Sequence, residues 1–132
     1  DFIKSKSGEY FLYDYRSSKC LQLNIIDVIK KINEDIDVGE ILVNSVDRDG
    51  SKLGFDLDLI KQFNISNQNP VLALGGANKV EHFVEITELE NVTGICAANV
   101  FLHFEHSTDV FKSYINRNEK ILRTNNYFTR KL

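Results

Sequence analysis

Short apolar runs alternate with helix-period segments along this chain, and that alternation constrains the fold more than any other feature. Residues 41–46, 71–74 and 94–98 are almost continuously apolar, and each run is followed by a turn containing glycine or asparagine and then by an amphipathic segment. Strands that alternate with helices in this way pair in parallel through right-handed crossovers. The pattern therefore predicts an α/β fold on a parallel sheet, with helices near residues 57–63, 80–87 and 108–116.

The segments around these units predict further elements. Ile25, Ile29 and Ile32 recur at helical spacing, which predicts a helix over residues 25–34. Aspartate is a favoured N-cap residue, so Asp56 is expected to start the helix that follows the first strand. Residues 10–13 are expected to form one arm of an extended hairpin or an ordered loop. The polar, basic end of the chain predicts disorder over residues 124–132.

Composition excludes several classes of protein. The chain has 132 residues, of which 42% are hydrophobic and 27% charged, as in a globular domain. Sixteen basic and nineteen acidic residues give a net charge of −3, which argues against binding to nucleic acid. The apolar runs are far shorter than the roughly 20 residues that a membrane-spanning helix needs. We therefore expect no nucleic-acid partner, no membrane association and a cytoplasmic location.

Residues that could ligate a metal or act as nucleophiles favour structural roles. Cys20 and Cys96 lie far apart, and neither has a histidine beside it in the sequence, so both are expected to be reduced thiols. His103 and His106 would need a third metal ligand and an enclosing pocket that the sequence does not identify, so we expect a solvated helix start there with no metal. His82 is expected to pack or hydrogen-bond within its helix. No cofactor is predicted.

The residues that leave each strand carry the functional signal, because ligands of parallel α/β proteins bind at the carboxyl ends of strands. Residues 47–51 place two carboxylates around a glycine, and Asp47 and Asp49 share a side if the strand continues that far. Residues 75–78 and 97–101 offer backbone amides to an anion before two successive helices. Each of these three segments could also be a turn with a purely structural role. Two successive segments that offer amides to an anion nevertheless favour a phosphate site.

The same residues carry a family resemblance. Residues 39–51 (GEILVNSVDRDGS), 54–56 (GFD), 70–77 (PVLALGGA) and 97–101 (AANVF) resemble the sixth, seventh and eighth strands of the cyclase subunit of imidazole glycerol phosphate synthase, a histidine-biosynthesis enzyme. Asp1 resembles the end of its fifth strand. The family fold is a (β/α)8 TIM barrel. The resemblance implies that residues 1–132 are a single partial domain, the C-terminal half of such a barrel from the end of strand 5 through helix 8.

The resemblance also implies a reaction and a partner. The family takes ammonia from a glutaminase subunit and converts a phosphorylated formimino ribotide to imidazole glycerol phosphate and aminoimidazole carboxamide ribotide. Because the chain begins at Asp1 and contains no methionine, we expect a missing N-terminal half and an inactive isolated fragment. The resemblance implies that Asp1 is a general acid and that Glu40 belongs to an ammonia gate. It also implies that Asp49 and Gly50 line the substrate site. The implied phosphate site consists of Gly76, Ala98 and Asn99.

Departures from the family pattern leave the function open. Asn99 replaces the usual serine at the phosphate, and Leu74 stands where a small or hydroxylated residue is common. Such a diverged member could instead pass ammonia to an enzyme that amidates a surface-polysaccharide sugar. A third hypothesis is a non-catalytic half-barrel that docks a partner.

Overall fold

Two small sheets and five helices make up the part of the chain that the computed structural model describes, residues 1–35, 37–102, 107–118 and 122. The predicted disorder of residues 124–132 and the predicted role of His103 and His106 fall outside these residues. None of the described helices has the length and apolar content needed to cross a membrane. The elements in chain order are β1 Phe2–Lys4, β2 Tyr10–Asp14, β3 Lys19–Asn24, α1 Ile25–Asp35, β4 Ile41–Asn44, α2 Leu57–Ser66, β5 Val71–Leu74, α3 Val80–Thr87, β6 Val92–Ile95, α4 Asn99–Leu102 and α5 Ser107–Arg117.

A parallel sheet in the order β4-β5-β6 confirms the predicted α/β class. The bounds of β5 and α3 agree with the sequence pattern. The third strand was predicted to start at Gly94, but β6 begins at Val92, which pairs with Val71. Gly94 lies inside the strand, and a side chain at this position is disfavoured because its Cβ would overlap the Leu72 side chain on β5. A glycine that looked like a strand boundary is thus a close contact within the sheet.

The first parallel strand is shorter than its apolar pattern predicts, and this corrects the expectation that Asp47 and Asp49 share a side. Strand β4 ends at Asn44, and the next residue, Ser45, forms an isolated parallel bridge to Phe2. A turn follows, in which the Asp49 amide donates to the Ser45 carbonyl oxygen at 2.9 Å. The Asp47 carboxylate instead accepts the Lys4 amide at 2.7 Å. The turn separates the two acids.

An antiparallel sheet in the order β1-β2-β3 precedes the parallel one and confirms the hairpin predicted at residues 10–13. It leads into α1, whose start is stabilised by the Asn24 side chain accepting the Asp27 amide at 2.9 Å. Strand β1 also lies beside the end of β4, because the Val46 amide donates to the Phe2 carbonyl oxygen at 2.8 Å. The hairpin is therefore fastened to the parallel sheet.

Helices cover one face of the parallel sheet in the described structure. Val43, Val71 and Ala73 are buried on that face together with side chains of α2 and α3, and the Phe2 ring packs edge-on against Phe63 with centroids 5.9 Å apart. On the opposite face Leu42 is 49% exposed. A continuous apolar run such as residues 41–46 is typical of a strand covered on both faces, but within the described residues only one face is covered.

A buried carboxylate joins the hairpin, the parallel sheet and α2. Asp56 is only 7% exposed, and it accepts hydrogen bonds from the Tyr10 hydroxyl at 2.7 Å, the Ser45 hydroxyl at 3.2 Å and the Leu59 amide at 3.2 Å. The last bond confirms Asp56 as the N-cap of α2. Burial and the bond to Asp56 raise the pKa of Tyr10 above its usual range, so the hydroxyl remains a neutral donor.

Replacing this carboxylate should unfold the chain more readily. We expect Asp56→Ala to lower the free energy of unfolding by about 2–4 kcal/mol, because it removes a helix cap and leaves the buried Tyr10 hydroxyl without an acceptor. Asp58→Ala is the matched control. Asp58 lies in the first turn of the same helix, and its side chain is 72% exposed and 4.0 Å from Lys4, so its loss should cost less than about 1 kcal/mol. Urea denaturation of both variants measures the difference, and equal losses would contradict this role.

Candidate active site

Three loops enclose a cavity at the carboxyl edge of the parallel sheet. We call it the edge cavity. It brings together all the residues that the resemblance assigned to substrate and phosphate, namely Asp49, Gly50, Gly76, Ala98 and Asn99, although their roles there stay predictions. The complete lining is Asp49, Gly50, Lys52, Leu74, Gly75, Gly76, Ala77, Asn78, Ala97, Ala98 and Asn99.

Several lining residues have backbone N–H groups without a protein acceptor in the described part of the chain. Among the residues that the structure describes, no protein acceptor takes the amides of Gly76, Ala77 or Ala98. Unpaired amides that converge on one space form a site for an anion. The volume is about 40 Å³, whereas sites that enclose a whole drug-sized ligand measure roughly 300–1,000 Å³. The edge cavity therefore suits one end group of a larger ligand.

Glycines allow two of these loops to pack against each other. We call residues 75–78 the glycine turn and residues 45–56 the β4 loop. Gly75 and Gly76 have φ angles of +104° and +88°, a conformation that side chains rarely adopt. A Cβ at Gly76 would overlap the carbonyl oxygen of Gly54, whose amide donates to the Gly76 carbonyl oxygen at 2.9 Å. The two loops therefore meet backbone to backbone.

Lys52 is a candidate binding residue that sequence reasoning missed. It supplies the cationic side chain in the lining, and its φ of +65° is strained for a residue with a Cβ. Asp49 faces the same space and can accept hydrogen bonds from hydroxyl groups. The available signal was a basic residue two positions after Gly50, which was predicted to line the substrate site. That signal was weak, because a lysine in a turn is more often a solvated surface residue.

Asp1 lies outside the lining, on the inner side of the same edge. Its carboxylate accepts a hydrogen bond from the Asn44 side-chain amide at 2.9 Å. Asn44 is 5% exposed, and its side-chain oxygen has no hydrogen-bond partner in the described structure. That oxygen lies so close to Gly75 that a Cβ there would come within 2.8 Å of it. Asn44 thus links Asp1 to the glycine turn, a link that sequence reasoning did not predict.

Glu40 lies at the other end of the parallel sheet. It precedes β4, it is exposed, and its carboxylate accepts a hydrogen bond from the Thr93 hydroxyl of β6 at 3.4 Å. The structure therefore separates Glu40 from the edge cavity by the length of the strands. This is the end at which the resemblance puts an ammonia gate, and that role stays a prediction.

His82 and the two cysteines behave as the sequence indicated. His82 is buried on α3 and accepts a hydrogen bond from the Asn78 amide, which confirms that it packs and hydrogen-bonds within the fold. Both cysteines are free thiols, and burial raises the pKa of Cys96, so it is a poor nucleophile at neutral pH. No group of three potential His, Cys, Asp or Glu ligands gathers among the described residues.

Fold and site together define a class, the parallel α/β proteins with a candidate ligand site at the carboxyl ends of their strands. The family follows from comparison of the sequence with known proteins. Residues 3–108 match the family described as "Histidine biosynthesis protein". The chain belongs to that family, which is a family of TIM barrels, and its resemblance to the cyclase subunit is confirmed.

Individual relatives agree with this assignment. A Vibrio vulnificus protein, named provisionally as imidazole glycerol phosphate synthase subunit hisF2, is 41% identical over 92% of this chain and 43% of its own length. Imidazole glycerol phosphate synthase subunit HisF of Saccharolobus solfataricus is 36% identical over 87% of this chain and 45% of its own length. The HisF subunit of Staphylococcus carnosus is 31% identical over 85% of this chain and 44% of its own length. The chain thus spans less than half the length of these relatives.

The backbone contact between the two loops should make Gly76 irreplaceable. Gly76→Ala is expected to lower the free energy of unfolding by about 3 kcal/mol or more, because it adds an overlap to a strained φ. Gly50→Ala is the control, since Gly50 also has a positive φ, of +72°, but open space where a Cβ would stand. It should cost only about 1–2 kcal/mol. Urea midpoints compare the two, and an equal loss would show that the overlap is relieved without cost.

Proposed function

We propose that residues 1–132 form the carboxyl half of a (β/α)8 barrel that is the cyclase subunit of imidazole glycerol phosphate synthase. The parallel bridge between Phe2 and Ser45 sets the end of a further strand beside β4, which supports a succession of four neighbouring strands. The 43–45% coverage of the relatives is also what half of a barrel would give. In this proposal the partly exposed inner face around Leu42 belongs to the barrel interior.

The reaction that we propose joins ammonia to a phosphorylated formimino ribotide. Ring closure and cleavage of a carbon–nitrogen bond then release imidazole glycerol phosphate and aminoimidazole carboxamide ribotide. Each of these steps needs a proton placed on one atom and removed from another. Asp1 is the proposed general acid, and the Asn44 amide holds its carboxylate toward the carboxyl edge. Asp49 is proposed to bind substrate hydroxyl groups from the rim of the edge cavity.

The observation that carries this proposal is that Gly76, Ala77 and Ala98, whose backbone amides have no protein acceptor among the described residues, all line the edge cavity. The proposed occupant is one phosphate of the ribotide, held by the amides of Gly76, Ala77, Ala98 and Asn99, with the Lys52 ammonium adding positive charge. Phosphate groups are well matched to such sites, because several N–H donors can point at one tetrahedral anion. The small volume suits a terminal phosphate and leaves the rest of the substrate outside.

The partner in this proposal is a glutaminase subunit that supplies the ammonia. Glu40 stands at the opposite end of the strands from the edge cavity, and Thr93 holds its carboxylate. Ammonia entering at that end would travel along the barrel axis toward Asp1. We propose a cytoplasmic location for the complex.

The proposed attraction between the Lys52 ammonium and the phosphate has a direct test. In the full-length protein, Lys52→Ala should weaken binding of inorganic phosphate by about 5- to 10-fold, because it removes a cation from a partly exposed anion site. Lys61→Ala, which removes an exposed lysine from α2, is the control and should leave the affinity unchanged. Isothermal titration calorimetry at low salt measures both constants. Equal affinities for the two variants would remove Lys52 from the site.

The proposed role of Asp1 predicts a specific loss of turnover. In the full-length protein supplied with ammonium ion, Asp1→Asn should lower kcat for imidazole glycerol phosphate formation by about 100-fold or more, since general acid catalysis contributes on that scale. Binding of substrate should change little, because asparagine keeps the shape of the side chain. Failure of the unaltered protein to form product would reject the cyclase.

A second candidate function is supported by two residues in the edge cavity. Asn99 and Leu74, the departures from the family pattern, both line it and both enlarge a side chain near the proposed phosphate. The corresponding function is to pass ammonia to an enzyme that amidates a surface-polysaccharide sugar. Complementation distinguishes the two candidates, because the full-length gene should restore growth of a histidine auxotroph lacking the cyclase only if the protein is the cyclase.

A further inference from the structure

We infer that His82 is a positioning residue of the edge cavity, and that its Nδ1 atom holds the glycine turn in the conformation that receives an anion. The inference rests on the proposed phosphate site, to which it adds a side chain that touches no ligand. His82 does not line the cavity. It acts through the backbone of Asn78, which does.

The hydrogen bond between the two residues is the first observation. The Asn78 backbone N–H donates to Nδ1 of His82, with the nitrogen atoms 3.3 Å apart. Lys79, the N-cap residue of α3, makes no side-chain capping bond, so the start of this helix lacks the usual acceptor. His82 is the third residue of the helix and reaches back to the turn before it, in the manner of a capping box. The imidazole thereby orients the last residue of the glycine turn.

The packing of the ring is the second observation. A Cβ at Gly54 would come within 3.2 Å of Cδ2 of His82, so the ring lies directly against the β4 loop. Gly54 in turn donates its amide to the Gly76 carbonyl oxygen. One buried ring therefore supports both loops that line the edge cavity. The two contacts use different atoms of the ring, since Nδ1 accepts from the glycine turn, whereas Cγ, Cδ2 and Nε2 lie against the β4 loop.

The protonation state agrees with an acceptor at Nδ1. Burial lowers the pKa of His82, and the positive charges of Lys79 and Arg48 lower it further. The negative charges of Glu85 and Glu81 oppose this shift without cancelling it. The ring is thus neutral at pH 7, and its proton lies on Nε2 because Nδ1 accepts a hydrogen bond.

Two substitutions of His82 separate its hydrogen bond from its packing. Asparagine places an oxygen where Nδ1 stands but fills less space, whereas glutamine fills more space but moves its polar group away from that position. If Nδ1 positions the glycine turn, His82→Asn should bind inorganic phosphate within about 2-fold of the unaltered protein, and His82→Gln about 3- to 10-fold more weakly. Calorimetry on the full-length protein at pH 8 measures the three affinities, with thermal melting as the folding control.

The order of the two variants decides the inference. If His82→Gln binds phosphate as tightly as His82→Asn or more tightly, the inference is overturned, because packing alone would then explain the role of His82. An unaltered protein that binds no phosphate would overturn the proposed function, and the inference with it. Should either variant fail to fold, ¹⁵N NMR of the unaltered protein at pH 8 gives the answer independently. A proton on Nε2 and a coupling from the Asn78 amide to Nδ1 support the inference, and a proton on Nδ1 overturns it.

Discussion

The buried carboxylate of Asp56 is the interaction on which the rest of the structure depends. It binds one donor from the hairpin, one from the end of β4 and one from the start of α2, so three separate parts of the chain meet at one side chain. A carboxylate is suited to this place because it has several lone pairs and no donor of its own to satisfy. Since β1 belongs to the hairpin, the same interaction fixes where Asp1 can lie relative to the parallel sheet.

The edge cavity depends on that arrangement and on glycine. The β4 loop runs from Ser45 to Asp56, and both of its ends are held by the same carboxylate interaction. Its middle meets the glycine turn with no room for a side chain at Gly76. The amides that face the cavity are therefore held by neighbours before any ligand arrives. Preorganised donors of this kind bind an anion without the cost of ordering the loops first.

Much of this could be read from the sequence because the signals were local. The apolar periodicity located β5 and α3, and aspartate before an amphipathic segment identified the cap of α2. Two predictions failed where contacts between strands intervened. Gly94 seemed to mark a boundary, but it is a strand residue that makes room for Leu72. The run after Ile41 seemed to be one long strand, but β4 ends at Asn44, and beyond it the Val46 amide bonds to Phe2 and the Ser45 hydroxyl bonds to Asp56.

The sequence by itself determined the α/β class, the family and the loops that carry the candidate chemistry, because each is encoded in contiguous motifs. Only the tertiary structure decided which of those residues share a space. It placed Asp49 at the edge cavity and turned Asp47 away to Lys4, although both acids belong to one motif. It also showed Lys52 in the cavity lining and His82 beneath the glycine turn. Such relations depend on backbone turns and contacts between distant residues, and no local pattern of residues specifies them.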